Sequence, residues 1–143
     1  VFSIQGAVSD IDGKSKLYIG SVNDADGSTT LTGKKTGGID YDKSIEVDSF
    51  CLAGFLRMIP ESAKVVIKMN IEGGEYPLME HIIKYDLFRK IDQMYIQCHA
   101  KKMDDPTKYI KIEQEFMKVA EGKRTKLSMT RKGMHSFEIS NSL

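Results

Sequence analysis

Apolar and polar positions alternate between strand-like and helix-like patterns along most of the chain. Residues 65–69 form a nearly continuous apolar run (VVIKM), which is typical of a buried parallel strand, and we predict that it is the central strand of a sheet. A polar loop follows over 70–76, and residues 78–83 then carry apolar side chains at helical spacing. Residues 91–99 predict the next buried strand. The strand–helix–strand order favours an α/β fold with a mostly parallel sheet.

The first 49 residues predict a different arrangement. Residues 1–8 alternate as a strand, and residues 16–19 predict a second strand that pairs with it as a hairpin. A long polar insert rich in Gly, Thr and Asp then covers 20–41, and 44–47 are predicted to be extended. We therefore expect 1–49 to be a strand with a hairpin and loop insert, ahead of alternating helices and strands.

The remaining elements complete that alternation over 50–143. Residues 50–58 predict a short helix. Another helix is predicted to begin at Asp105–Pro106, a cap followed by a first-turn proline, and to end at Gly122. Residues 126–130 and 135–139 predict a terminal antiparallel hairpin. The chain is thus predicted to be one α/β domain whose parallel sheet carries an antiparallel edge.

Composition narrows the class of protein. The chain has 143 residues, 41% hydrophobic residues and a net charge of +1, as expected of one folded domain. This charge gives no reason to expect nucleic-acid or anionic membrane partners, and no apolar stretch has the length of a membrane span. Because the sequence starts at Val1, inside a strand-like pattern and without a leader, we expect it to be a piece of a longer protein.

The two cysteines lack metal-site or redox-site spacing. Cys51 and Cys98 are far apart, and neither belongs to a CxxC pair. We predict that both are free, buried and in a reducing compartment, which indicates a cytoplasmic protein.

Polar residues follow both predicted central strands. In sheets of this class, ligands bind beyond the carboxyl ends of the strands. The first strand is followed by Gly73–Gly74 between Glu72 and Glu75, where glycines allow a sharp turn and a close backbone approach to a ligand. A simpler interpretation is that the glycines only make the turn and that Glu75 stabilises the helix N-terminus.

His99 ends the second of these strands. One helix joins the two strands, so a right-handed crossover makes them neighbours, and Glu72 and His99 should face one crevice. His99 could equally be a structural histidine. A metal site built from Glu72, Glu75 and His99 is a lesser alternative to the absence of any metal. Residues 33–38 (GKKTGG) are basic, but they lack the flanking strand and helix of a phosphate loop and are predicted to be a solvated loop.

Several of these stretches together resemble one enzyme family. Residues 68–75 (KMNIEGGE) resemble the signature of FkbM-type S-adenosylmethionine-dependent methyltransferases: lysine, any residue, Asp or Asn, any residue, Glu-Gly, a small residue and Glu. Residues 6–13, 45–56 and 95–99 are similar, in the correct order, to three further segments of that family. The resemblance implies the C-terminal portion of a Rossmann-like class I methyltransferase fold.

The resemblance implies an activity and a catalytic set. The activity is methyl transfer from S-adenosylmethionine to a hydroxyl oxygen of a glycan or another small molecule. His99 is the candidate general base, because imidazole in general exchanges its proton near neutral pH. Asn70 and Glu72 are the residues expected to orient the cofactor or the acceptor.

The resemblance also suggests binding residues, and the chain departs from the family at others. Glu75 and Tyr76 are expected to contact the acceptor, and Ala7 to lie near the cofactor's adenine. Cys51 stands where the family usually has Asp, and Gln97 where it usually has Glu. Both departures weaken the case for catalysis.

A non-catalytic role is the alternative. The family's N-terminal half, which holds the Gly-rich loop and the acidic residue for the ribose, has no counterpart in these 143 residues. We therefore expect the isolated chain to bind S-adenosylmethionine weakly or not at all. Sheet edges left open where that half would pair are expected to promote self-association. In the alternative, the chain is a methyltransferase-like binding or oligomerisation module.

Overall fold

The computed structural model describes residues 3–20, 34–36 and 38–131, together with the backbone of 137–139. The strands are β1 (Ala7–Ser9), β2 (Gly13–Gly20), β3 (Ile39–Cys51), β4 (Val66–Met69), β5 (Gln93–Cys98), β6 (Lys126–Arg131) and β7 (Phe137–Ile139). The helices are α1 (Leu52–Met58), α2 (Glu75–Lys84) and α3 (Pro106–Ala120), with 3₁₀ turns at Leu87–Lys90 and Ala100–Lys102. The predicted α/β class is confirmed. Most of the predicted polar insert, including 21–33, lies outside the described residues.

The larger sheet has the order β4-β5-β6-β7. Strands β4, β5 and β6 are parallel, and β7 pairs antiparallel with β6. The predicted parallel pair and terminal hairpin are therefore confirmed. The prediction that 65–69 is the central strand is wrong, because within the described sheet β4 is an edge strand and Val66 is 51% exposed. Its unpaired edge lines an apolar cavity of about 440 Å³.

The smaller sheet has the order β1-β3-β2. The predicted hairpin between the first two strands is wrong, since β1 pairs parallel with β3 and β2 pairs antiparallel with it. The Asp12 carboxylate accepts a hydrogen bond from the Cys51 N–H at 2.8 Å, and this contact between distant segments holds the turn after β1 against the end of β3. Phe50 and Cys51 still pair with Val8 and Ser9, so the predicted helix begins two residues late, at Leu52.

The hydrophobic core lies between the larger sheet and helices α2 and α3. Met79, Ile82, Phe88, Met94 and Phe116 are fully buried there. Helix α3 has the predicted ends, because the Asp105 carboxylate caps it by accepting from the Lys108 N–H at 3.2 Å and Gly122 follows it at φ +91°. None of the described helices combines the length and apolarity that crossing a membrane requires.

Candidate functional site

The loop between β4 and α2 has a constrained backbone. Glu72 has φ +51°, in the left-handed region that residues with a side chain rarely adopt, and Gly73 follows at φ +104°. Gly74 is tightly packed: an added Cβ would lie 3.3 Å from the Ile71 carbonyl oxygen and 3.2 Å from the Ile71 Cδ1. The glycines thus make the predicted sharp turn, and the turn holds Glu72 in a conformation that is typical of functional sites.

Glu75 lies in the interior and fixes the neighbouring strand end. Its side chain is fully buried at the start of α2, where Oε2 accepts from the Gly73 N–H at 2.8 Å. Its other oxygen, Oε1, accepts from the His99 backbone N–H at 3.0 Å and lies 2.9 Å from His99 Nδ1. The expectation that Glu75 contacts the methyl acceptor is not met in this structure, because the side chain is fully buried and both carboxylate oxygens contact residues of the interior.

His99 and Glu72 meet as predicted. Strands β4 and β5 are paired neighbours, and His99 Nε2 lies 3.2 Å from Glu72 Oε1. The two atoms are close enough for an ionic contact but lack hydrogen-bond alignment, so Nε2 is a buried nitrogen without a hydrogen-bond partner among the described residues. The His99 side chain is only 1% exposed. A small cavity that it lines measures about 30 Å³, the space of one water molecule.

Two lysines hold the other oxygen of Glu72. Its Oε2 lies 3.0 Å from Lys35 Nζ and 2.9 Å from Lys102 Nζ. The prediction of a solvated loop is wrong for Lys35, whose side chain is 1% exposed. The cause is a short antiparallel contact, in which the Thr36 N–H donates to the Lys102 carbonyl at 2.6 Å and the Asp104 N–H donates to the Lys34 carbonyl at 2.7 Å.

These lysines determine the charge of Glu72. Burial alone would raise the pKa of its carboxyl group. The hydrogen bonds from Lys102 and Lys35, together with the nearby His99, outweigh burial and hold the pKa of Glu72 below its ordinary value. Glu72 is therefore an ionised carboxylate at neutral pH.

Tyr76 belongs to a second buried network behind His99. Its hydroxyl donates to Glu113 Oε1 at 3.0 Å and accepts from the His99 N–H at 3.0 Å, and Glu113 Oε2 accepts from Arg131 Nε at 2.6 Å. Burial, with the nearby charges of Glu75 and Glu113, raises the pKa of Tyr76. The prediction that Tyr76 lines an acceptor pocket is wrong in this structure, because the side chain is 1% exposed inside the core.

An open cavity of about 810 Å³ brings the other predicted residues together. It is lined by Ala7 of β1 and by Asn70 and Glu72 of the loop after β4. Most of the remaining lining residues come from the smaller sheet and the segment before β1, and they include Gln5, Lys14, Glu46 and Asp48. His99 is not among the lining residues, since Glu72 stands between it and the cavity. Of the predicted catalytic set, Asn70 and Glu72 face this space and His99 does not.

The described residues do not form a metal site. They contain no group of three His, Cys, Asp or Glu side chains arranged to hold an ion. Glu72, Glu75 and His99 do meet, but the lysine ammonium groups occupy Glu72 Oε2 and the His99 amide and ring occupy Glu75 Oε1. The two lysine ammonium groups supply positive charge next to Glu72.

Sequence reasoning missed four residues of this site. Lys35 and Lys102 looked like surface lysines, and Glu113 looked like a polar position between the apolar residues of α3. Arg131 is the last residue of β6, and the sequence pattern did not single it out.

The chain was compared with models of protein families, with curated proteins and with solved structures, and none of the three comparisons gave a match.

Proposed function

We propose that the chain is the C-terminal portion of a Rossmann-like, S-adenosylmethionine-dependent methyltransferase of the FkbM type, acting on a hydroxyl group. One observation carries the proposal: Ala7, Asn70 and Glu72, which the resemblance assigns to cofactor and catalysis from two distant segments, line one cavity of about 810 Å³. Ligand cavities of about 300–1,000 Å³ are usual for small molecules and cofactors.

The charges around the cavity suit the proposed cofactor. S-adenosylmethionine carries a sulfonium cation and supplies the methyl group. Of the acidic lining residues, Asp48 is paired with Lys14 at 2.6 Å and Glu72 is paired with Lys35 and Lys102, so the charges of these two carboxylates are largely balanced. Glu46 is a further acidic lining residue, and its carboxylate favours a cationic ligand over an anionic one. Ala7 adds a small apolar surface beside them.

Glu72 and Asn70 are the residues proposed to act on the acceptor. The ionised Glu72 carboxylate can accept a hydrogen bond from the hydroxyl group that is to be methylated, and so orient the oxygen of that hydroxyl. The Asn70 side-chain amide, which lines the same cavity, can both donate and accept a hydrogen bond. The lowered pKa of Glu72 makes it a weak proton acceptor, so orientation is its main proposed contribution.

His99 is then a positioning residue. Its ring lies behind Glu72 and is fixed from the other side by Glu75 Oε1. The geometry therefore supports a role for His99 in setting the position and charge of Glu72, in place of the direct contact with an acceptor that we predicted. The two free cysteines are in keeping with a reducing, cytoplasmic location.

The proposal is tested in the protein made from its complete reading frame. Calorimetric titration with S-adenosylhomocysteine should show saturable binding, and Asn70→Leu should weaken it while Asn70→Asp, the commoner family residue, should keep it. Absence of saturable binding in the full-length protein would contradict the proposal.

A non-catalytic methyltransferase-like module is the second candidate. The burial of His99 and the complete engagement of Glu72 and Glu75 favour it, because such networks also stabilise folds without catalysing reactions. The distinguishing measurement is transfer of tritium from methyl-labelled S-adenosylmethionine to glycan and small-molecule hydroxyl acceptors. Cofactor binding without transfer to any acceptor, and with no effect of Glu72→Gln, would favour the module.

A further inference from the structure

A second pair of reactive side chains lies away from the Glu72 site. Cys51 Sγ at the end of β3 is 3.6 Å from His81 Nε2 in the last turn of α2, within hydrogen-bonding distance for sulfur. The prediction that both cysteines are buried is confirmed for Cys98 but is wrong for Cys51, which is only partly buried. A thiol beside an imidazole is the arrangement in which a cysteine becomes a nucleophile, because the imidazole takes the thiol proton.

His81 is held in the form that can accept that proton. Its side chain is buried, and its ring packs edge-on against Tyr85 with centroids 4.7 Å apart. Burial lowers the pKa of His81, Asp10 opposes this, and the charges of Lys84 and Arg57 lower the pKa further. The lowered pKa makes His81 a weaker base but keeps the imidazole neutral near pH 7, and in the tautomer with the proton on Nδ1 its Nε2 can accept the proton of Cys51.

The thiol also has a cavity beside it. Cys51 lines a space of about 320 Å³ whose other walls are mainly apolar: Ile4, Phe50, Phe55 and Met58. Gly54 also lines this cavity and puts no side chain next to Cys51, since an added Cβ there would lie 3.8 Å from Cys51 Cβ. The one acidic lining residue is Asp12, whose Oδ1 also holds the Cys51 N–H at 2.8 Å. These walls favour a small, neutral, apolar ligand and repel anions.

We propose that Cys51 and His81 form a covalent-adduct site for small, neutral electrophiles of the α,β-unsaturated carbonyl class. The Cys51 thiol proton passes to His81 Nε2, and the sulfur lone pair forms a bond to the β-carbon of the ligand. The carbon–carbon π electrons move towards the carbonyl as an enolate, and the α-carbon then takes the proton back from His81. The addition is balanced and needs neither an oxidant nor a leaving group.

Cys98 provides an internal comparison. It is buried on β5, and burial, with Glu113 and Glu75 nearby, raises the pKa of its thiol. Cys98 is therefore the inert cysteine of the same chain, under identical conditions.

The test uses N-ethylmaleimide, a neutral electrophile of this class, on the full chain, with mass spectrometry of the two cysteine peptides. Cys51 should react at least about tenfold faster than Cys98, and at least about tenfold faster than Cys51 in His81→Phe, which keeps a ring against Tyr85 but has no base. A carboxylate-bearing maleimide should react more slowly than N-ethylmaleimide, relative to their rates with a free thiol. Gly54→Leu, which covers the sulfur, should slow both probes.

Two results would overturn the proposal. One is an unchanged Cys51 rate in a folded His81→Phe variant. The other uses wild-type protein alone, and so does not depend on that variant folding: a Cys51 rate at pH 7 no faster than that of an unstructured peptide covering 46–56 would show that the fold does not activate the thiol.

Discussion

Glu75 Oε1 holds His99 twice, accepting from its backbone N–H at 3.0 Å and lying 2.9 Å from its Nδ1. The end of β5 is thereby attached to the start of α2 through one buried carboxylate. The imidazole can face Glu72 in only one orientation as a result.

The first prediction concerns that carboxylate. Glu75→Gln should lower the free energy of unfolding by about 1–3 kcal/mol, because an amide NH₂ replaces an oxygen that accepts buried hydrogen bonds. Urea denaturation measures the change. Glu80→Gln, an exposed substitution on the same helix, is the control and should stay within about 0.5 kcal/mol of wild type. Equal effects of the two substitutions would show that the buried contacts of Glu75 contribute nothing specific.

Adjacent lysines provide the second prediction. Lys35→Met removes a buried ammonium from Glu72 and should cost about 1.5–3 kcal/mol, the usual worth of a hydrogen bond to a charged group. Lys34→Met removes an exposed pair with Asp104 and should cost about 0–1 kcal/mol. Thermal and urea unfolding of both variants make the comparison. A larger loss of unfolding free energy in Lys34→Met than in Lys35→Met would contradict the assignment of a stabilising, buried Lys35–Glu72 ion pair.

The third prediction is a pH dependence of stability. The pKa of Glu72 is lower in the folded chain than its ordinary value of 4.5, so ionised Glu72 stabilises the fold above that pH. The stabilisation disappears as the pH falls through the lowered folded-state pKa. The difference in unfolding free energy between wild type and Glu72→Gln should therefore shrink as the pH is lowered from 7 to below 4.5. A difference that grows on acidification would reverse the assigned direction.

The fourth prediction separates the edge strand from the central one. Val66 on β4 is 51% exposed, so Val66→Asp should leave a folded, cooperatively unfolding chain. Met94 on β5 is fully buried, and Met94→Ala should cost about 2–5 kcal/mol. Circular dichroism during urea unfolding measures the unfolding free energy of both variants. If Val66→Asp prevented folding, the result would contradict the edge position of β4 and support the central position that the apolar pattern predicts.

The secondary-structure elements were predicted correctly from the sequence where the signals are local. Helical apolar spacing gave α2, and a cap, a first-turn proline and Gly122 gave both ends of α3. Pairing order was harder to predict: the apolar run 65–69 indicates a strand, but it does not fix the place of that strand in the sheet, and among the described strands β4 lies at the edge. The β1–β2 hairpin was wrongly predicted because the hydrogen bond that the Cys51 N–H donates to Asp12 joins distant segments, and no local pattern encodes it.

The candidate site was predictable only in part, for the same reason. Parallel pairing of consecutive strands was enough to bring Glu72 to His99. Lys35 reaches the site through a backbone contact with Met103, far along the chain, so its composition-based assignment to a solvated loop was wrong. Sequence periodicity indicates the secondary structure around a residue, whereas the burial of its side chain also depends on which distant segment of the chain packs against it.

The most direct test of the account is ultraviolet cross-linking of methyl-labelled S-adenosylmethionine to the protein made from its complete reading frame, followed by peptide mapping. The account predicts label on the peptides that contain Ala7 or 70–72, removed by excess S-adenosylhomocysteine and reduced in Asn70→Leu. Label confined to other peptides, or no label that S-adenosylhomocysteine displaces, would contradict the claim that this cavity is a methyltransferase cofactor site.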